Sequence, residues 1–212
     1  MDPKFWLSKW QRNELGFHKS EANPLLVKHF QLLSLKRGQR VFLPLCGKTL
    51  DIAWLLTQGY QVAGAELAEM AVVQLFSGLE VTPAITDLGH VTRYSAENID
   101  IFVGDILQLS GEMLGKVDAI YDRAALVALP KEMRDRYTAH LVALTQAVPQ
   151  LLITFEYDQS VMSGPPFSIS SAEVHRHYQN QYTISHLSRT EVPGGLKGKC
   201  AATENVWFLE QK

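Results

Sequence analysis

The chain has 212 residues, 46% hydrophobic and 20% charged, with a formal net charge of -2 at pH 7. That composition belongs to a globular protein able to bury its own core, and a charge so near zero offers nothing to draw nucleic acid or an anionic membrane. No apolar run approaches the ~20 residues of a membrane span, and residues 1–6 lack the basic and then apolar build of a signal peptide. The two cysteines, Cys46 and Cys200, have no metal-ligand or redox spacing, so reduced thiols, no metal site and a cytoplasmic location are expected.

Residues 1–23 hold Trp6, Trp10 and Phe17 among polar neighbours, the composition of a segment that covers a site or pins itself to a core. Asn23-Pro24 then reads as an N-cap with proline at the first helical position. Leu26, Phe30 and Leu33 follow on one helical face. Residues 41–45 form a short apolar strand. Leu50, Ala53 and Trp54 mark a helix that stops at Gly59. A second strand at 61–66 and a helix at 69–76 come next, then a polar, irregular excursion at 77–98 with room for a short helix or hairpin. Strands at 99–103 and 117–121 precede a long helix lined by Met133, Tyr137, Leu141 and Leu144. Residues 151–157 are continuously apolar, as a strand buried on both faces would be. Ser170-x-x-Glu173 is a capping box before the next helix, and strands at 183–187 and 205–209 close the chain with no helix between them. The alternation predicts one α/β domain over residues 1–212. Its sheet is seven-stranded and mostly parallel, with an antiparallel hairpin at the C-terminal edge and helices on both faces.

In such sheets ligands bind beyond the carboxyl ends of the strands, here Leu45, Glu66, Asp105, Asp122 and Tyr157. Gly47-Lys48-Thr49 copies the end of a phosphate-binding loop, but Phe42 stands where the first glycine of that loop is required. Pro44 also removes a backbone donor. Glu66 follows the first strand at about the offset, some 20 residues, of the acid that accepts ribose hydroxyls in nucleotide folds. It could equally be a solvated strand-end carboxylate. Asp105 and Ile106 follow the third strand, where a polar and an aliphatic side chain could meet an adenine edge and face. Together these describe an adenosyl site that lacks pyrophosphate, as for S-adenosylmethionine. The histidines of His175-Arg176-His177 lie two apart on a helix and do not share a face, and Cys46 reads as a packing thiol.

Trp6-x-x-x-Trp10, Phe17-His18 and Phe42-Leu43-Pro44-Leu45-Cys46-Gly47-Lys48 resemble the thiopurine S-methyltransferase family, in its bacterial form. So do the stretch at 121–129 (YDRAALVAL), Tyr157-Asp158 and Gly164-Pro165-Pro166-Phe167. The resemblance implies a Rossmann-like class I methyltransferase that moves a methyl group from S-adenosyl-L-methionine to an aromatic or heterocyclic thiol. It implies cofactor contacts at Trp10, Leu45, Glu66, Asp105, Ile106 and Arg123, with Phe17 and Arg123 facing the substrate. Thr49 and Asp105 depart from, or vary within, the family pattern, which makes Asp105 the weakest of these transfers. No general base is implied, since a thiopurine-like thiol ionises near neutrality and the fixed charge of Arg123 favours the thiolate. Arg123 could instead form a structural ion pair with Asp122. The expected partner is a small thiol, and the chain is expected to act as a monomer without nucleic acid or membrane. A related acceptor class on the same fold would be halide, thiocyanate or inorganic selenium and tellurium compounds.

Overall fold

The computed structural model describes residues 3–12, 14 and 21–212. They form two compact units, Met1–Ile120 and Tyr121–Lys212. In the first, α1 spans Pro3–Gln11. The Asn23 side chain accepts the Leu25 N–H at 2.8 Å and starts α2 (Pro24–His29), which tightens into a 3-10 turn over Phe30–Leu33. Strand β1 (Arg40–Leu43) leads to α3 (Leu50–Thr57), and β2 (Gln61–Glu66) to α4 (Glu69–Gly78). β3 (Ala84–Asp87), β4 (Thr92–Ala96), β5 (Ile99–Val103) and the short α5 (Gly111–Leu114) follow. The last strand of this unit begins β6 (Ala119–Arg123).

The strands of the first unit lie in the order β3-β4-β5-β2-β1, and Ala119–Ile120 of β6 pairs along the other edge of β1. β5, β2, β1 and β6 run parallel, and the order reverses at β1. Ligand sites of doubly wound sheets sit at the carboxyl side of such a reversal. Val41, Phe42, Val62, Ala63 and Ile101 are fully buried, as strands covered on both faces require.

The second unit contains α6 (Lys131–Thr145), β7 (Gln150–Tyr157), α7 (Ser171–Tyr178), β8 (Tyr182–Glu191) and β9 (Ala202–Gln211). β9 pairs antiparallel with β7 on one side and β8 on the other, which is the expected terminal hairpin. Leu151, Leu152 and Val206 are fully buried in it.

The described residues hold nine strands, not the expected seven. The two additions are β3 and β4, an antiparallel hairpin within the polar excursion, which extends the sheet beyond β5. All four residues of β3 are exposed, and in β4 only Tyr94 is buried, so neither strand carries a strong alternation of hydrophobicity. No helix among the described residues is long and apolar enough to cross a membrane.

Candidate active site

Beyond Leu43 the β1 chain turns sharply. Leu45 and Gly47 both take left-handed conformations, with φ of 47° and 55°, and the Cys46 N–H donates to Ala65 O of β2 at 3.0 Å. Glu66, the last residue of β2, is only 7% exposed. Its Oε2 accepts the Gly47 N–H and its Oε1 accepts the Ala68 N–H, each at 2.8 Å. One carboxylate thus joins the β1 loop to the turn that opens α4. Glu66 is therefore no solvated strand-end acid. Burial raises its pKa, against the opposing pull of the Ala68, Gly47 and Leu67 amides. A carboxylate offers about four acceptor positions, so these two bonds leave room for hydroxyl donors of a ligand.

The same bonds count against a phosphate site at Gly-Lys-Thr. The Gly47 amide, which a phosphate loop would offer to an anion, is taken by a carboxylate. Lys48 Nζ reaches Gln74 Oε1 of α4 at 2.8 Å. Thr49 is the N-cap of α3, its side chain accepting the Asp51 N–H at 3.3 Å. Cys46 is buried beside this loop. Burial and the neighbouring Glu66 push its thiol pKa well up, which favours the protonated thiol.

Trp10 of α1 is 4% exposed and clusters with Ala68 and Ala71. Its Cζ2 lies 3.1 Å from where a Cβ on Gly47 would stand, so the indole is seated directly on that glycine. Of the expected cover segment, Phe17 lies outside the described residues.

At the third strand end, the Gly104 N–H donates to Glu66 O at 2.9 Å, which brings Asp105 and Ile106 beside the first two loops. Asp105 is exposed, and its Oδ1 caps a short 3-10 turn by accepting the Leu107 N–H at 3.0 Å; Ile106 is half-buried. Leu45, Glu66, Asp105 and Ile106 thus stand on three adjacent strand ends, with Trp10 packed on the first of them. The combination of a buried acid, apolar side chains and a Gly47 amide already bound by Glu66 suits an adenosine without pyrophosphate.

The remaining expected residues belong to the second unit. Arg123 ends β6 and is half-buried, followed by Ala124 at φ 65°. The Asp122 carboxylate accepts the Leu126 N–H and the Tyr137 hydroxyl. The Gly164–Phe167 loop has two cis bonds, Gly164-Pro165 and Pro165-Pro166. It is held by the Phe167 N–H on Val127 O at 2.6 Å and by the Tyr157 hydroxyl on Pro166 O, also at 2.6 Å. Arg134 was not singled out by sequence pattern. Its Nε donates to Leu129 O at 2.9 Å, its Nη1 to Glu173 Oε1 at 2.7 Å, and its guanidinium lies over the Phe167 ring. An arginine inside an otherwise amphipathic helix, with a glutamate in a capping box downstream, was the available signal.

The fold is that of the class I S-adenosylmethionine-dependent methyltransferases. A 1,6-didemethyltoxoflavin-N1-methyltransferase of Burkholderia thailandensis, solved with its substrate and S-adenosylhomocysteine, is similar with a TM-score of 0.68 and 16% identity. The match covers 99% of this chain and 87% of that one. Magnesium protoporphyrin IX methyltransferase of Synechocystis PCC 6803, solved with bound SAM, matches with a TM-score of 0.62 and 16% identity over 100% and 98% of the two chains. Sequence relationships are closer. The thiopurine S-methyltransferase of Xanthobacter autotrophicus is 55% identical over 212 residues, covering 100% of both chains. That of Teredinibacter turnerae is 51% identical over 211 residues, covering 100% of this chain and 98% of its own. The family model for thiopurine S-methyltransferase matches residues 1–212, and the chain belongs to that family.

Proposed function

We propose that this chain is an S-methyltransferase that uses S-adenosyl-L-methionine and accepts an aromatic or heterocyclic thiol, acting as a single monomeric domain in the cytoplasm. The observation that carries the reading is the buried Glu66 carboxylate at the β2 end, in a chain of this family. Relatives bearing the name thiopurine S-methyltransferase support the thiol acceptor. The near-neutral charge supports a small-molecule partner over nucleic acid or membrane.

When bound, the cofactor supplies an electrophilic sulfonium methyl, which a thiolate displaces to leave S-adenosylhomocysteine and a thioether. In this reading Glu66 would accept the ribose hydroxyls, Leu45 would line the methionine end, and Asp105 and Ile106 would bracket the adenine. Trp10 would lie against the sulfonium, where a cation-π contact would contribute on the order of 0.5–2 kcal/mol. Phe17 and Arg123 would serve the acceptor, the charge of Arg123 favouring its thiolate form. Opposite charges neutralise at the transition state, so the residues mainly align the reactants and exclude water. Such alignment is worth up to roughly 7–11 kcal/mol.

The test is initial-rate methylation with one cofactor and a panel of acceptors: an aryl thiol, a heterocyclic thiol, thiocyanate, iodide, selenite and tellurite. The reading expects the two organic thiols to have the highest kcat/KM. A higher value for any inorganic acceptor would reassign the acceptor class. For Arg123→Ala, kcat/KM for the aryl thiol is expected to fall on the order of 10- to 100-fold.

A further inference from the structure

Asp122 precedes Arg123 at the end of β6 and is fully buried. Both carboxylate oxygens are committed: Oδ1 accepts the Leu126 N–H at 3.1 Å, and Oδ2 accepts the Tyr137 hydroxyl at 2.7 Å. Between the anchor and Leu126 the backbone makes a tight turn, with Ala124 in the left-handed region at φ 65°. An alanine there is strained, and such a conformation persists only where its surroundings over-determine it. The carboxylate bond back from residue 126 to residue 122 is that constraint, and Tyr137 of α6 ties it to the core. Arg123 sits between the anchor and the strained residue, so the turn fixes the direction in which its side chain leaves the strand.

We propose that Asp122 is a positioning residue for methyl transfer, its carboxylate holding the turn that aims Arg123 at the acceptor. The inference rests on the reading of Arg123 as the acceptor-side cation. Asp122 itself touches no reactant in this scheme.

Among the described residues two phenols act on Asp122, Tyr137 on α6 and Tyr178 on α7, and the charged Arg123 follows it directly in the chain. Burial pushes both phenols well above the ordinary tyrosine range, so both stay neutral. On α6, Arg134 is paired with Glu173. Burial lifts the Asp122 pKa to about 6, while the bonds from Tyr137 and the Leu126 and Ala125 amides pull it down. Protonation would turn one of its oxygens into a donor and loosen the anchor just below neutral pH.

The experiment measures kcat/KM against pH, using an aryl thiol fully ionised across the range assayed, for wild type, Asp122→Asn, Tyr137→Phe and Arg123→Ala. Wild type is expected to lose activity on the acid side with a midpoint near 6. Asp122→Asn should lose that limb and run on the order of 10-fold below wild type at its plateau. Tyr137→Phe should move the limb up by about one pH unit, because it removes a bond that favours the carboxylate. A wild-type profile in Asp122→Asn overturns the inference. Should that variant fail to fold, an unmoved limb in Tyr137→Phe does the same. Loss of activity in Arg123→Ala beside unmoved profiles in the other two overturns the inference alone. A silent Arg123→Ala removes the reading of Arg123 and the inference with it.

Discussion

Gly47 has its backbone amide on Glu66, its φ at 55°, and the Trp10 ring 3.1 Å from its missing Cβ. Gly47→Ala meets both the left-handed strain, about 1–2 kcal/mol, and the indole. The expected result is a lower urea midpoint together with weaker S-adenosylhomocysteine binding. Unchanged values for both would show that the loop does not depend on this contact. Glu66→Gln keeps an amide oxygen for one backbone N–H but turns its NH2 group against the other. A loss of about 1–3 kcal/mol is expected in denaturant unfolding, along with reduced affinity for the adenosyl ligand. Sequence spacing was enough to locate Glu66, because an acid at a strand end shows in the hydrophobic pattern. It could not reveal that the carboxylate also braces the Gly47 and Ala68 amides, a relation that exists only once β1 and β2 lie side by side. Asp122 was legible as a strand-end acid and as a neighbour of Arg123. Its true partners, Leu126 and Tyr137, come from a turn and from α6.

Helix caps carry a clear part of the local energetics. Thr49→Ala removes the N-cap of α3 and is expected to cost about 1 kcal/mol by thermal or urea unfolding. Lys48→Ala, which loses only its contact to Gln74, should leave adenosyl-ligand affinity unchanged. A large affinity loss from Lys48→Ala would revive a phosphate-like role for the loop. The capping box at Ser170 forms by half. The Ser170 hydroxyl accepts the Glu173 N–H at 3.2 Å, but the Glu173 carboxylate goes to Arg134 and His177. Arg134 lies 5% exposed in its side chain, so Arg134→Met leaves Glu173 without its main cation. The expected loss is about 3–5 kcal/mol, partly recovered in Arg134→Met/Glu173→Leu. The pattern fails at β3 and β4 for a physical reason. Strands lying largely on the surface bury too few side chains to imprint a period of two. β8 was found only in its first half, residues 183–187, because its later residues are mostly exposed and a register irregularity lies between His186 and Ser188.

For the molecule as a whole, pH links the buried acids to stability. The Asp122 pKa rises from 3.8 to about 6 on burial. Between those values the folded chain keeps a proton that the unfolded chain has lost, so this group's contribution to stability falls as pH rises. The fall amounts to about 3 kcal/mol and is complete above the folded value. Asp122→Asn does not titrate, so its deficit against wild type should shrink as pH climbs from 4 to 7 in urea unfolding. A deficit that grows over that interval would contradict the burial of an ionisable Asp122. Membership of the family and the parallel β/α frame were legible because short motifs and continuous apolar strands survive in sequence. The carboxylate anchors were not, since each depends on atoms brought together from separate elements. The most direct check on the central claim is calorimetric titration of the purified chain with S-adenosylhomocysteine, S-adenosylmethionine and ATP. The account predicts saturable one-site binding of both adenosyl ligands, weakened by Glu66→Gln, and no heat from ATP. Tight ATP binding with no response to either adenosyl ligand would contradict it.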